Sequence, residues 1–479
     1  MRALDAAPTL MLRCLLAPCL LTAVMAVAHA SPRATPSAPP RAPPRATPHI
    51  AATLPSAATP VRTGATTRVA PLLAPLPAPP LADVGSPRAT ELRWDANLRF
   101  RAAAGIHLHD LQAGQDDRIE GLFQRVRLGA RFATPDLEAR LQLQVSGAFG
   151  AKGPGEQPVG VGMQAGSLRW KLPAAKGLTA EIGRMTLEYG SGRHIARYDF
   201  HDEGNAYDGV RVSYRVKPYL RLDGLGVKLR RNSAQPEQER TLFGLYLVGR
   251  PFKPLTTDVY LLVLRDGSDD DRADLQTMGL RVDYRPIAAV RVEFEGAIQF
   301  GTRQPNAAQA ALDHLASAVA GEVSFSGTLG VPFGLGLRGQ QYSGDDGTEA
   351  DTSRAWRQLY PDVVRHIGLL QLFAQTGLRQ LGAWLRVGAS EALHVEIDWR
   401  SNASLAGAHV PGFSRPKLGL PGGGWSPLGA ELDARLIWPA LPGSTVLIAA
   451  GLFAPSDELA AKLGDRLARQ LIVQWTSRF

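Results

Sequence analysis

The sequence predicts an all-β fold: a transmembrane antiparallel β-barrel of about 18 strands, preceded by an N-terminal signal peptide and a disordered Pro-rich linker. Three observations support this prediction. Residues 471–479 alternate apolar and polar side chains and end on an aromatic, similar alternation recurs through the chain, and the connections alternate between short and long. A lipid bilayer tolerates only helices and closed barrels, and the longest apolar run after the signal, residues 446–454, is too short for a spanning helix.

Residues 1–30 have the features of a secretory signal peptide. Arg2 and Arg13 precede an apolar stretch over residues 14–27, and Ala28-His29-Ala30 provides a small-x-small cleavage site. A membrane anchor is the alternative, but the apolar stretch is shorter than the roughly 18 residues that favour a spanning helix. Cleavage after Ala30 would remove both cysteines, so the mature chain would have neither disulfides nor thiolate metal sites.

Residues 31–90 are rich in Pro, Ala, Thr and Arg, and Pro-Arg-Ala-Thr occurs three times. Such a composition cannot bury a core, so we expect a disordered spacer, with binding to peptidoglycan or a periplasmic partner as the alternative. The formal charge of the whole chain is +9. Residues 1–30 contribute +1 and residues 31–90 contribute +5, which leaves only +3 for the barrel, residues 91–479. Overall basicity therefore describes mainly the linker and does not indicate nucleic-acid binding.

The first predicted strand, residues 92–108, places apolar side chains at even positions and mostly polar ones at odd positions. Such alternation indicates a strand with one face in lipid. Two segments are irregular, because the pattern slips at Gly224-Leu225-Gly226 and residues 307–320 could form a helix. The remaining predicted strands are residues 122–132, 137–149, 166–172, 178–187, 208–216, 220–229, 242–248, 255–264, 276–284, 290–300, 315–329, 333–341, 378–387, 393–399, 428–438, 446–454 and 471–479.

The connections give an independent indication of topology. Tight turns such as Lys217-Pro218 and Arg285-Pro286 alternate with long segments such as residues 188–205 and 343–377. Outer-membrane barrels have short periplasmic turns and longer extracellular loops, so both ends of this barrel should be periplasmic. Trp475 and Phe479 in the last strand resemble the signal read by the barrel insertion machinery, which we expect as an assembly partner.

A barrel of this size is expected to enclose a water-filled lumen, lined by the polar face of each strand. On the first six strands that face is rich in Arg, whereas later strands add acids such as Glu293 and Glu295. The basic residues would attract an anion; pairing with acids to stiffen the wall is the alternative, and the sequence does not decide between them. The candidate lumen residues are Arg99, Arg101, Arg125, Arg127, Arg169 and Lys171.

The segment GRMTLEYGSGR from Gly183 to Arg193, followed by Arg197, Asn205 and YDGVR ending at Arg211, resembles the alginate export family of outer-membrane porins. A second similar stretch contains Ser343-Gly344-Asp345, Leu359-Tyr360-Pro361, His366 and Gly368. The resemblance covers about Trp94 to Phe479. It implies an eighteen-stranded barrel that secretes a polyuronate through a basic constriction.

The same resemblance implies that Arg193, Arg197 and Arg211 contact a carboxylated sugar and that Asp208 orients them by charge-assisted hydrogen bonds. The alternative is that these residues only fold a long loop inward. After Gly368 the chain has Leu-Leu-Gln-Leu-Phe-Ala-Gln, where the family usually has an acid and several aromatics. A general or small-anion porin is therefore a second hypothesis.

An outer-membrane hydrolase is a third hypothesis, but the histidines are scattered and no serine motif accompanies them. We expect no enzyme activity, no cofactor and no metal; His107 with His109, and the acidic stretch 266–271, are weak metal-site patterns. The expected partners are an anionic polysaccharide or anionic solute, outer-membrane lipid and lipopolysaccharide and the insertion machinery, with periplasmic export proteins as a further hypothesis and no nucleic acid. The expected location is the bacterial outer membrane.

Overall fold

The computed structural model describes residues 90–108, 111, 118–152, 160–230, 240–268, 272–305, 309–345, 349, 351–390, 392–405 and 424–479. The predicted signal peptide (1–30) and nearly all of the predicted linker (31–90) lie outside the described residues.

Eighteen strands form one closed sheet in which every neighbouring pair is antiparallel. They are β1 (Glu91–Ile106), β2 (Ile119–Ala133), β3 (Leu137–Lys152), β4 (Gly160–Lys171), β5 (Leu178–Met185), β6 (Ala206–Lys217), β7 (Leu220–Arg230), β8 (Arg240–Phe252), β9 (Leu255–Asp266), β10 (Arg272–Ile287), β11 (Val290–Gln304), β12 (Leu312–Leu329), β13 (Val331–Tyr342), β14 (Leu378–Gly388), β15 (His394–Leu405), β16 (Trp425–Leu441), β17 (Ser444–Pro455) and β18 (Ala468–Arg478).

The last strand closes the barrel against the first. Asn97 pairs with Arg478, and the register continues to Ile106 with Arg469. Trp475 lies on the outer face and stacks on Phe100, with ring centroids 5.7 Å apart. The backbone of Phe479 exchanges hydrogen bonds with that of Ala96. The predicted fold class, strand number and closure are confirmed.

The two irregular segments are strands. β12 begins at Leu312, so the helical alternative for residues 307–320 is wrong for the residues described there. β7 pairs continuously with β6 through Gly224, Leu225 and Gly226. Its apparent slip arises because Leu225 and Val227 are apolar although they point inward, where both are buried.

The outer face of the barrel is apolar, as lipid requires. Large side chains at alternate positions, such as Trp94, Leu128 and Ile182, remain exposed after folding because they face the surrounding membrane. Short turns such as residues 218–219, 253–254 and 288–289 join the strands at one end, which is therefore the periplasmic end. No helix in the described part of the chain is long and apolar enough to cross a membrane.

The lumen is not an open water-filled channel along its whole length, and here the sequence-based expectation was wrong. Two long connections fold inward: the first lumenal loop (residues 186–205, between β5 and β6) and the second lumenal loop (the described residues of 343–377, that is 343–345, 349 and 351–377, between β13 and β14). Their apolar residues pack against inward-facing side chains of the strands in one core. That core includes Leu187, Ile195, Tyr246, Tyr260, Leu262, Trp356, Leu359, Tyr360 and Phe453.

Three short elements support these loops. Helix α1 (Val363–His366) is capped by Asp362, whose carboxylate accepts from the backbone N–H of Arg365 at 3.1 Å. Residues Thr352–Ser353 add a short parallel pairing to the extracellular end of β12. Helix α2 (Asp457–Leu463), between β17 and β18, buries Leu459 and Leu463 in the same core.

Candidate functional site: the loop-narrowed lumen

The first lumenal loop crosses the lumen. At one end Arg193 bonds to Glu295 on β11 and Tyr342 on β13, at 3.3 and 3.1 Å. At the other end Asp199 bonds to Arg125 and Arg127 on β2. In a closed barrel of eighteen strands, β2 and β11 are nine strands apart and so lie on opposite walls. The loop therefore narrows the channel from wall to wall.

Glycines allow the chain to turn at the start of this loop. Gly190 and Gly192 have φ angles of 58° and 79°, which glycine adopts without strain. A Cβ on Gly190 would also lie 2.9 Å from the hydroxyl of Tyr246. Between them, the Ser191 hydroxyl donates to Glu295 at 2.9 Å, and the Ser191 carbonyl accepts from Arg365 at 2.8 Å. This turn joins the loop to β11 and to the second lumenal loop.

Four arginines of β1 and β2 hold the far end of the loop; we call Arg99, Arg101, Arg125 and Arg127 the arginine clamp. Arg99 donates to the carbonyls of Asp199, Phe200 and His201 and to the carboxylate of Asp202. Arg127 donates to the Asp199 carboxylate and the Glu203 carbonyl. The clamp side chains are buried, and Arg99 and Arg125 are only 3% and 2% exposed.

The charges of the clamp act on the acids of the loop. Burial raises the pKa of Asp199, but Arg125, Arg127 and Arg99 outweigh it, so its pKa lies well below the ordinary range. The pKa of Asp202 is also lowered, because Arg101 and Arg99 outweigh the effect of its burial. Both carboxylates are therefore ionised at neutral pH. They neutralise only part of the positive charge of the clamp, because four guanidinium groups face two carboxylates.

Of the predicted site residues on this loop, Arg197 has the most exposed side chain. Its side chain is 46% exposed and donates to Glu188 at 2.8 Å. Glu188 also accepts from Arg365 of the second lumenal loop at 2.9 Å. Arg365 and Arg197 outweigh burial and lower the pKa of Glu188. By contrast, Arg193 is largely buried between β11 and β13.

The second lumenal loop is fixed to the first and to the wall. Tyr360 pairs with Ile195 in a parallel bridge between the loops. The backbone N–H groups of Leu369 and Leu370 donate to Asp433 and Glu431 on β16, at 3.0 and 3.1 Å. A Cβ at Gly368 would lie 2.3 Å from the Glu431 carboxylate. The two stretches that resemble the alginate export family thus include the two lumenal loops.

The inward faces of β1–β6, which include the arginine clamp and continue below the loops toward the periplasm, form what we call the basic wall. Arg169 and Arg211 both donate to Glu181, and Arg169 is 35% exposed. Lys171 lies on the same face at the periplasmic end of β4. Arg131 bonds to Glu138 at 2.8 Å, and Arg140 is exposed toward the lumen. Cations outnumber acids on this wall.

Asp208 does not lie in the lumen, which corrects the role implied by resemblance. It shares the outward parity of Val210, because successive side chains of a strand point to opposite faces. Its carboxylate accepts two hydrogen bonds from Arg184, at 2.6 and 2.8 Å. It therefore cannot orient Arg193, Arg197 or Arg211 directly.

The inward faces of β9–β16 carry alternating charges and form what we call the paired wall. Arg281 bonds to Asp258, Asp283 and Glu293, at 3.0, 3.2 and 3.1 Å. Arg400 bonds to Asp398 and Asp433, both at 2.7 Å. These ion pairs join side chains within and between the strands of the wall, so most of its charge is locally balanced.

The sequence patterns proposed for metals gain no support from the described residues, among which no group of three or more potential ligands converges. His109 and Asp269 to Asp271 lie outside the described residues. Asp266 points inward, where it bonds to Arg240 and Arg357.

Sequence reasoning missed the residues that pack the lumenal loops. A signal was present: residues 259–264, Val-Tyr-Leu-Leu-Val-Leu, are apolar on both faces of β9. Tyr260, Leu262 and Leu264 point inward and are buried in the core. Ile472, an apolar residue at a position where the alternation of residues 471–479 would place a polar one, is likewise buried inward, in a cluster with Tyr198 and Leu369.

The profile of the alginate export family matches residues 171–472 of this chain. No curated protein sequence matches the chain. Among solved structures, Acinetobacter baumannii OccAB1 is similar with a TM-score of 0.58 and 10% identity, over 84% of this chain and 99% of that one. Pseudomonas aeruginosa OccK9 (OpdG) has a TM-score of 0.57 and 15% identity, over 81% and 99%. Pseudomonas aeruginosa OprD has a TM-score of 0.53 and 12% identity, over 81% and 96%.

At such identities these likenesses show the fold alone, whereas the family match covers more than half of the chain. The chain therefore belongs to the alginate export family and is a channel barrel of the bacterial outer membrane.

Proposed function

We propose that this channel passes an anionic polysaccharide, or another anionic solute, along the basic wall and past the exposed face of Arg197. The observation that carries the proposal is the asymmetry of the lumen. Cations of β1–β6 exceed the acids on the same strands, while the opposite wall is internally paired. A narrow channel with one sign of charge in excess raises the local concentration of the opposite ion.

The basic residues have two different roles in this proposal. The arginine clamp and Arg193 position the first lumenal loop, because their guanidinium groups bond to loop or wall groups and are largely buried. Arg197, Arg169, Lys171 and Arg211 have side chains that retain access to the lumen. Guanidinium groups match a carboxylate bidentately, so these residues would contact uronate groups in transit.

A porin for small anions is the second candidate function. It is favoured by the apolar packing of the two lumenal loops against the strands. It is also favoured by Leu369, Leu370, Leu372 and Phe373, which are all buried, the first two with backbone N–H groups bonded to Asp433 and Glu431. These apolar residues occupy the stretch where the family usually has an acid and aromatics. The two candidates differ in the size of the anion that enters.

The test is block of single-channel current by oligouronates in a planar bilayer. The native protein should favour anions, and an oligouronate should interrupt the chloride current at lower concentration than acetate does. Arg197→Gln should weaken this block by about tenfold, since a charged hydrogen bond contributes roughly 1.5–3 kcal/mol. Arg354→Gln is a matched control, because Arg354 has the same 46% exposure, pairs with Glu349 and follows the short strand at the extracellular end of β12.

Block by acetate and oligouronate at equal concentration of carboxylate groups would favour the small-anion porin. Cation selectivity with no response to either anion would contradict both candidates. Turnover of a lipid or peptide substrate by the purified protein would instead support the hydrolase alternative.

A further inference from the structure

A row of charged side chains lies on the outer face of the barrel, at the extracellular ends of neighbouring strands. We call it the outer basic belt. Each member lies an even number of residues from a lipid-facing residue of its own strand, or directly opposite an outward-facing residue of the next strand, and therefore points outward. Arg184 lies two residues from Ile182, and Asp208 lies two residues from Val210. The belt comprises Arg184 on β5, Asp208 on β6, Lys228 and Arg230 on β7, Arg265 on β9, and Arg272 and Asp274 on β10.

The belt begins where the apolar band of the barrel ends. Ile182, two residues toward the periplasm from Arg184, is exposed to lipid, and so is Val210, two residues from Asp208. Two residues of strand span about 7 Å. Charged side chains on the lipid face are unfavourable at hydrocarbon depth and tolerated near the interface. The belt therefore lies at the level of the headgroups of the outer leaflet.

Within the described part of the chain, cations outnumber carboxylates in the belt. Asp208 accepts from Arg184 in a bidentate pair and from Arg230 at 3.2 Å, so one carboxylate holds two guanidinium groups side by side. Asp274 lies 3.5 Å from Arg265, whose side chain is still 67% exposed. Lys228, directly across from Asp208 on the neighbouring strand, is exposed, and so is Arg272. Among the residues that the structure describes, the belt thus has five cations and two carboxylates between β5 and β10, with no member on β8.

We propose that the outer basic belt binds the phosphate groups of a phosphorylated glycolipid of the outer leaflet, that is, the lipid A part of lipopolysaccharide. The fixed pair Arg184 and Arg230 and the exposed Lys228, Arg265 and Arg272 present several cations along one lipid-facing strip. Guanidinium forks match phosphate oxygens, and the acyl chains would lie against the apolar side chains below. This proposal is independent of the cargo of the lumen.

A comparable residue elsewhere on the outer face provides a control. Arg379 on β14 also points outward near the extracellular end, but its guanidinium lies over the ring of Trp425, 5.9 Å from the centroid. Arg379 lies beyond the belt, four strands from β10. Removing its charge tests whether any outward arginine at this level contributes to binding.

The experiment measures binding of bisphosphorylated lipid A to the purified full-length protein in detergent, by native mass spectrometry across a lipid titration. The triple variant Lys228→Gln/Arg265→Gln/Arg272→Gln should bind on the order of a hundredfold more weakly, at about fivefold for each cation. Arg379→Gln should bind like the native protein. Heat-modifiable migration in gels reports whether each variant forms the folded barrel; if the triple variant does not, Lys228→Gln alone should show the fivefold loss.

Two further lipids identify the ligand. Lipid A stripped of its phosphates should bind the native protein as weakly as bisphosphorylated lipid A binds the triple variant. Phosphatidylglycerol should compete poorly, because it offers a single phosphate. Unchanged binding by the folded variant would overturn the proposal, and equal competition by phosphatidylglycerol would overturn the assignment to a glycolipid.

Discussion

The basic wall and the paired wall use the same residue type for different purposes. On the paired wall, arginines such as Arg281 and Arg400 bond to carboxylates of their own and of neighbouring strands, so their charge is neutralised within the wall. On the basic wall, Arg99 bonds to three backbone carbonyls and one carboxylate of a loop from elsewhere in the chain. A carbonyl orients a guanidinium without neutralising it. The basic wall can therefore fix a loop and still leave excess positive charge in the lumen.

The largest expected effect is on the paired wall. Arg400→Met would leave Asp398 and Asp433 buried without their shared partner, because Arg400 bonds to both at 2.7 Å. Breaking a buried ion pair from one side costs about 3–5 kcal/mol. We expect the urea midpoint of unfolding in liposomes, followed by tryptophan fluorescence, to fall sharply. Arg99→Met should lower the urea midpoint much less, since the lost contacts hold a loop rather than the strands. Equal decreases of the midpoint would show that the arginines of the two walls contribute equally to the stability of the barrel.

The second prediction concerns the loop held by the clamp. Arg99→Gln with Arg125→Gln removes hydrogen bonds to the Asp199 to Asp202 segment, each of which contributes roughly 1.5–3 kcal/mol. The loop should leave the lumen for part of the time, so single-channel conductance should rise in discrete steps. The matched pair Arg291→Gln with Arg386→Gln, on the paired wall, touches neither loop in its described contacts and should leave conductance unchanged. A steady native conductance in the clamp variant would mean that other contacts hold the loop.

The third prediction concerns ion selectivity. Arg169→Gln with Arg211→Gln should lower the ratio of chloride to potassium permeability severalfold, measured from reversal potentials in a salt gradient. Glu138→Gln, an acid of the same wall paired with Arg131, should raise the ratio instead. Both effects should shrink above about 0.3 M salt, where screening acts within a few ångströms. A shift in the same direction for both variants would point to altered folding rather than to charge.

The strands were predictable from sequence because each depends on its own two-residue period, and residues 92–108 show that period almost without a break. The path of the lumenal loops was not. It depends on contacts such as Arg99 with Asp202 and Arg193 with Tyr342, which join residues more than a hundred positions apart. No local pattern encodes such pairs.

Parity explains both a success and an error at the candidate site. It places Arg169 and Arg211 inside the barrel and Asp208 outside, three residues before Arg211 and therefore on the opposite face. A family motif assigns all of them to one site when the alternation of side chains between the two faces of a strand is not considered. The inward apolar residues of β9 were a readable sign of a packed lumen, because both faces of a strand are apolar only when both are buried or in lipid.

The smallest expected effect is a pH dependence that differs between the two ends of the first lumenal loop. Near the paired wall, burial lowers the pKa of His194, with Arg193 adding to the effect and Glu295 opposing it. Burial, together with Arg193 and Arg365, lowers the pKa of His366, which contacts the Ser191 carbonyl at 3.1 Å. A released loop would take up protons with the ordinary histidine pKa of 6.5. The packed state is therefore fully favoured above pH 6.5 and loses stability as the pH falls below it, by at most about 1.4 kcal/mol per pH unit for each histidine.

The clamped end behaves differently in the same range. The lowered pKa of Asp199 keeps that carboxylate ionised well below its ordinary value of 3.8, so its bonds to the clamp persist at pH 5. We expect brief current flickers to become more frequent between pH 6.5 and 5 without a change in the main conductance level, because only the histidine end loosens. His194→Gln with His366→Gln should remove this dependence, whereas His394→Gln, at the periplasmic end of β15, should retain it. Flickering that grows only below pH 4 would instead place the weaker attachment of the loop at the clamp.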